Sequence, residues 1–246
     1  RALFQGAQNA LPDGRINGFM PSERTTCAFA SSSLVWLRLL MEYRLFSGDD
    51  DTVRRLRPRA RKLLDFLATL ADSDGLIASW PTGQFWDWAP IEDKGCLLVT
   101  NAFFIWTLAR LRRDSLLRGL LKGTPFASVE ALRAAAHRRF WDASRGLYRD
   151  AEPASGLTPI YSQQANTLAV LAGLAPPRER ASLLRRLMDP DRLGPVPVGE
   201  QALWNSSRPD PETIVPVGTL WFGHFLCQAL FETGLAHEAM DQIRGL

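Results

Sequence analysis

Apolar positions in this chain fall into two alternating kinds of segment. One kind is apolar nearly all round. In residues 29–47, Leu34, Trp36, Leu37, Leu39, Leu40, Tyr43 and Phe46 leave little polar surface before Gly48 ends the run. The other kind is one-sided. In residues 52–71, Leu56, Ala60, Leu63, Leu67 and Leu70 recur at three and four residues, while Arg54, Arg55, Arg59, Arg61 and Lys62 take the opposite face. Pro58 is expected to kink this second helix or to begin its main part.

The pair recurs. An apolar segment at 97–113 precedes an amphipathic one at 127–140, and 163–174, stopped by Gly173, precedes 177–189. A final apolar segment, 216–233, ends at Gly234 and is followed by 236–246. A helix buried on all sides beside one with a single wet face is what concentric inner and outer rings require. The pattern predicts an all-α fold, an α/α toroid or solenoid formed as one domain over 1–246. It holds about four helix pairs plus a leading remnant carrying Ala2, Leu3, Phe4 and Ala7. The repeat is about 50 to 70 residues, longer than common helical solenoids, and the excess lies in loops rich in Trp, Pro, Asp and Gly. Long loops on such a scaffold tend to carry function.

Composition narrows the reading. With 246 residues, 46% of them hydrophobic, the chain can bury a sizeable core. Lys and Arg number 29 against 26 Asp and Glu, and the resulting +3 is scattered along helices, which argues against nucleic acid as a partner. Cys27, Cys96 and Cys227 lie far apart in apolar surroundings without metal-ligand spacing and are expected as buried thiols. No stretch approaches the ~18 to 20 apolar residues that span a bilayer, so a soluble domain is expected. Arg1 is not an initiator residue, which leaves export open, with the cytoplasm as the default location. No nucleotide, phosphate or metal motif stands out, and no cofactor is expected.

Four segments, in order, resemble the catalytic domain of bacterial α-L-rhamnosidases. Leu11-Pro12-Asp13-Gly14-Arg15-Ile16 and Pro21-Ser22-Glu23 lead into the first apolar helix and its Ser47-Gly48-Asp49 stop. Asp74-Gly75-Leu76 precedes Phe85-Trp86-Asp87-Trp88, similar to an aromatic-Asp-Trp signature of that family. Phe140-Trp141-Asp142 and Gly146-Leu147-Tyr148-Arg149-Asp150 lead to Ser162-Gln163-Gln164-Ala165-Asn166. Ala229-Leu230-Phe231-Glu232-Thr233-Gly234, with Ala239 and Ile243-Arg244, resembles a late helix pair. The resemblance implies a six-hairpin (α/α)6 barrel of which this chain is the central part. It also implies an inverting glycosidase acting on terminal α-L-rhamnose, with the general acid before this region and the general base after it. The chain alone is then expected to be inactive, with the rest of the parent polypeptide as its partner and no catalytic residue assigned within it.

Inversion needs two carboxyl groups about 6.5 to 9.5 Å apart. Pyranose rings also need flat apolar platforms beside charged acceptors. Trp86, Asp87 and Trp88 offer both within three residues and are the leading candidates for a sugar pocket. In an extended segment Trp86 and Trp88 share one face and Asp87 takes the other, so one indole is expected to pack beneath the rim. The resemblance implies that Trp88 or Trp86 stacks on rhamnose while Asp87 positions a neighbour or binds a hydroxyl. Asn166 is a further candidate, although a structural amide suits its place at a helix start, and Trp204, with Asn205, could add a second platform or a lid.

Glu92 and Asp93, just after the cluster, are the carboxylates best placed at the mouth of the pocket, although first-turn positions of the following helix are the favoured expectation for them. Asp13, Glu23, Glu200 and Glu212 lie in loops without assigned roles, His137 and His237 are expected in solvent, and His224 in the core. The rival readings are another six-hairpin enzyme, such as a glucosidase or an unsaturated-uronide hydrolase, a helical-repeat binding scaffold without catalysis, and a degenerate barrel that still binds carbohydrate.

Overall fold

The computed structural model describes residues 1–19, 27–152, 158–195 and 208–245. Along it run α1 (Ala2–Gln8), α2 (Ala30–Ser47), α3 (Asp50–Thr69), α4 (Leu98–Leu111), a 3-10 turn (Arg118–Leu121) and α5 (Val129–Phe140). A two-stranded antiparallel hairpin, β1 (Trp141–Asp142) and β2 (Leu147–Tyr148), precedes α6 (Gln163–Ala172), α7 (Pro177–Leu187), α8 (Leu220–Glu232) and α9 (Ala236–Gly245). Helices α2, α4, α6 and α8 lie side by side as an inner layer, and α3, α5, α7 and α9 each back the inner helix that precedes them. The alternation follows from side-chain chemistry: every residue of α6 is buried, whereas α7 buries Leu183, Leu184 and Leu187 and turns its arginines outward.

Helix starts are set by side chains that take up orphan amides. Asp49, Ser128, Ser162 and Thr219 accept from the backbone N–H groups of Thr52, Ala131, Ala165 and Phe222. Such caps contribute about 1 kcal/mol each. Gly48 and Gly173 end α2 and α6 in the left-handed conformation.

One joint recurs three times where an outer helix passes to the next inner helix. Gly14, Gly75 and Gly146 each turn the chain with positive φ (108°, 80° and 62°), and two residues later Ile16, Ile77 and Tyr148 pair back with Ala10, Ala71 and Trp141. The paired residue is then clamped by the next inner helix. Asn101 Oδ1 accepts from Ile77 N at 2.8 Å while its Nδ2 donates to Ile77 O at 3.1 Å. Asn166 does the same to Tyr148, at 2.7 and 2.8 Å. At the first joint two hydroxyls replace the amide: Ser33 Oγ accepts from Ile16 N and Ser32 Oγ donates to Ile16 O. These clamps fix the heights of α2, α4 and α6, and with them the loops at those helix N-termini.

Several expectations change. Helix α3 begins at Asp50 with Pro58 inside it, so Pro58 does not begin the helix. Leu39 and Phe46 are exposed, because the side of α2 away from α4 has no inner helix beside it among the described residues. His224 is exposed rather than buried, on the last inner helix, which has no further inner helix on its far side among the described residues. His137 is half-buried rather than free in solvent: its ring stacks on Trp141 at 5.6 Å, and its Nδ1 lies 2.8 Å from the Tyr148 hydroxyl. Cys96 and Cys227 are buried but Cys27 is only partly so. Glu92 and Asp93 sit in a loop before Leu98, since Gly95 adopts positive φ and Leu97 bridges to Ala151 before the helix begins.

Candidate functional site

The segment 80–93 crosses the N-terminal ends of the inner helices and is pinned along its length. Trp80 Nε1 and Thr82 Oγ1 both donate to Ala28 O, at 2.7 and 2.8 Å. Gln84 donates to Gly95 O and accepts from Thr100 Oγ1, and that same Thr100 hydroxyl accepts from Trp86 Nε1 at 2.8 Å. The Trp86 indole, 1% exposed, lies against Phe103 with ring centroids 5.2 Å apart. Trp86 is therefore the indole beneath the rim.

Asp87 is 3% exposed, and its carboxylate accepts four hydrogen bonds. Oδ2 takes Gln164 Nε2 at 2.7 Å and Gly218 N at 2.8 Å, while Oδ1 takes Thr219 Oγ1 at 2.7 Å and Trp88 N at 2.9 Å. Four donors saturate a carboxylate, so this group joins the starts of α6 and α8 to the backbone of Trp88. Gly218 completes the clamp: a Cβ there would lie 2.2 Å from Trp88 O, and only glycine admits that approach. Trp88, half-buried, is left at the rim, edge-on to Phe85 with centroids 5.1 Å apart.

Clefts open on both sides of the Phe85–Trp88 pair. One, of about 590 Å³, carries Glu92, Asp93 and Arg208. The other, of about 470 Å³, is walled by Phe19, Phe29, Val35 and Trp221. Both volumes lie within the range of small-molecule sites, about 300 to 1,000 Å³. Glu92 is bound to Arg208 at 2.8 Å. Behind it, Asp150 is 3% exposed, and burial pushes its carboxyl up to about 7 against the Ser162 hydroxyl, which donates to it at 2.7 Å. Ser162 is also the cap of α6, so Asp150 orients the helix that carries Gln164 to Asp87.

The fold is that of rhamnosidase structures. A rhamnosidase from Klebsiella oxytoca with rhamnose bound superposes with a TM-score of 0.72 at 21% identity, covering 99% of this chain and 43% of that one. A GH78 family rhamnosidase of Bacillus sp. GL1 gives a TM-score of 0.77 at 22% identity, covering 99% of this chain and 24% of that one. The chain thus spans less than half the length of either structure. No protein-family model matches the sequence, and no curated protein matches it.

Within this rhamnosidase-like fold the remaining candidates separate. Asn166 is fully buried, with both ends of its amide committed to Tyr148 and Ser162 O, and it lines neither cleft. Trp204, Asn205, Glu23 and Glu200 lie outside the described residues. Asp13 is paired with Arg15 at 2.8 Å, and Glu212 with Arg145. Gln164, Gly218, Thr219 and Trp221 are the site residues that sequence reasoning missed. The cue for two of them was the Gly-Thr pair ahead of an apolar helix, a recognisable cap.

Proposed function

We propose that the chain is the central part of an inverting glycoside hydrolase that removes terminal α-L-rhamnose from glycans or glycosides. The observation that carries the reading is Trp88. It is an indole left at the rim, its backbone held by a saturated Asp87 and by Gly218, at the N-terminal ends of four aligned inner helices. A pyranose stacks its CH face on such a ring, and rigid attachment spares the ordering cost of binding. The shared fold with a rhamnosidase that holds rhamnose supports rhamnose as the sugar.

Asp87 acts in this reading as a positioning residue rather than a hydroxyl binder, because its acceptor sites are filled. Glu92 is paired with Arg208, and the resemblance to rhamnosidases is the ground on which the general acid and base are assigned to the parent polypeptide beyond this chain. The span of the chain, 43% and 24% of the two rhamnosidases, supports that assignment. The six-hairpin toroid is likewise the closed form we propose for the whole catalytic domain, and the chain alone should be inactive.

The test is calorimetric titration with methyl α-L-rhamnoside. Trp88→Ala should weaken binding by about tenfold or more, the scale of a lost aromatic platform, and leave the melting temperature close to that of the parent. Unchanged affinity would take Trp88 out of the pocket. A carbohydrate-binding scaffold without catalysis is the second reading, favoured by the saturation of Asp87. Release of nitrophenol from 4-nitrophenyl α-L-rhamnoside by the complete polypeptide separates the two.

A further inference from the structure

Helices α4 and α8 flank α6, yet they touch each other: Phe225 lies edge-on to Phe103 and Trp106, with centroids 5.9 and 6.1 Å away. The inner layer is therefore curved, and α2, α4 and α8 share its hollow side. Towards the helix N-termini that side is apolar, with Val35, Phe103 and Phe225. Further along, at helical spacing, it turns charged. Arg38, Arg110, Arg113 and Glu232 line a cavity of about 610 Å³ there, with Glu42 beside Arg38.

The charges on this floor do not balance. Arg38 Nη2 lies 3.2 Å from Glu42 Oε1, and the same oxygen serves Arg110 Nε at 3.5 Å. Glu232 accepts from Gln228 Nε2 at 2.8 Å, and Arg113 has no carboxylate partner among the described residues. The other arginines of the cavity are matched: Arg44 binds Asp50 and Asp114, and Arg133 donates to Ala172 O. Three guanidinium groups thus share two carboxylates. Arg38 is the one most removed from water. Its side chain is 13% exposed, its guanidinium carbon sits 3.2 Å from the centre of the Trp106 ring, and its Nη1 is buried with no acceptor among the described residues. The indole face offsets part of the lost hydration, but a buried N–H still needs an acceptor. Burial lowers this guanidinium from 12.5 to about 10; Glu42 opposes the fall and Arg110 adds to it.

We propose that Arg38 is one half of an ion pair across the hollow of the ring, its other half an Asp or Glu on an inner helix supplied by the parent polypeptide beyond this chain. The proposal rests on the closed-ring reading and adds the chemistry of the contact. The incoming helix is apolar where it meets Val35 and Phe103 and acidic where it meets Arg38. A carboxylate there gives Nη1 its acceptor and evens the count of charges on the floor.

The experiment compares the thermal melting of Arg38→Met and Arg38→Lys, each made in this chain and in the complete polypeptide. Both variants lose the flat guanidinium that stacks on Trp106, and only Met also loses the charge. In the chain, where the charge is underpaired, Arg38→Met should melt about 2 °C or more above Arg38→Lys. In the complete polypeptide Arg38→Met leaves a buried carboxylate without its cation and should melt about 4 °C or more below Arg38→Lys. The order of the two variants thus reverses. The same order in both forms overturns the ion pair, and the rhamnoside reading stands if the complete polypeptide still releases nitrophenol from 4-nitrophenyl α-L-rhamnoside. Stabilisation of the chain and of the complete polypeptide alike by inorganic phosphate, abolished by Arg38→Met, overturns it too, because a free anion then occupies the floor. A coding sequence that adds no further helices removes the closed ring and the ion pair together. Arg38→Gln, which keeps a donor without the charge, repeats the comparison if Arg38→Met does not fold.

Discussion

Helices α6 and α8 are neighbours in the same layer, yet they live in different surroundings. All of α6 from Gln163 to Ala172 is buried, whereas α8 leaves Leu220, Trp221 and Phe231 exposed at 66%, 43% and 47%. The opposite edge repeats the contrast: α2 exposes Leu39, Leu45 and Phe46, the last at 84%. An inner helix is enclosed only when it has an inner neighbour on both sides, as α4 and α6 do. The polar clamps follow the same gradient. Central helices use a buried amide that both donates and accepts, Asn101 and Asn166, while α2 divides the task between two serines. Centre and edge are thus built from one sequence pattern but held with different strength.

Asp87 ties the two regions together, because its donors come from α6, from the start of α8 and from the rim loop. Removing it takes one of two acceptors from the buried Gln164 amide, which keeps Pro216 O, and leaves the half-buried Gly218 N–H and Thr219 hydroxyl without theirs. Each such group costs about 1 to 3 kcal/mol. Asp87→Ala should therefore destabilise the chain by about 3 to 5 kcal/mol in urea denaturation. A loss below about 1 kcal/mol would mean that edge and centre are joined by apolar packing alone.

The next effect is a pH dependence confined to the centre. Burial and the nearby Glu92 carboxylate raise the Asp150 carboxyl from 3.8 to about 7 against the Ser162 hydrogen bond, which favours the charged form. The native state therefore holds a proton that the unfolded state releases near pH 4. The penalty is absent below the unfolded value, grows as pH rises from about 4 to about 7, and is complete above that, so stability should fall across this window. Asp49, held down to about 2 by its cap to Thr52, acts in the opposite direction only at lower pH, which leaves pH 5 to 8 clear for the measurement. Asp150→Asn should flatten the slope there. A slope that survives the substitution would assign it to another group.

The alternation of inner and outer helices was legible in the sequence because hydrophobic periodicity is a local property, and so were the helix-ending glycines Gly48 and Gly173, whereas the capping side chains went unread. Asp87, Trp86 and Trp88 were found as a cluster, but their separate fates were not. Three of the four partners that saturate Asp87 lie 77, 131 and 132 residues away, and no local pattern encodes them. Trp221 was hidden for a related reason. A tryptophan inside an apolar helix reads as core, and only the position of α8 at the edge of the layer turns it outward. His224 fails the same way one turn later. His137 was misplaced because its partners Trp141 and Tyr148 come from the hairpin that follows its helix rather than from the helix itself.

The smallest effect on stability should come from the edges themselves. Phe46 at 84% exposure gives up little on unfolding, so Phe46→Lys should change stability by no more than about 0.5 kcal/mol, as should Phe231→Lys at 47%. Their influence should appear instead in association. Exposed apolar side chains on the outer faces of α2 and α8 are the surfaces through which the chain would meet other helices or further copies of itself. Light scattering after size-exclusion chromatography should show self-association in the parent chain and its reduction in the double variant. If the parent chain runs as a monomer, the edges are closed by contacts other than those between the described helices, and the contrast between centre and edge weakens. If the double variant instead loses about 2 kcal/mol or more, Phe46 and Phe231 are packed in solution, and α2 and α8 are as enclosed as α6.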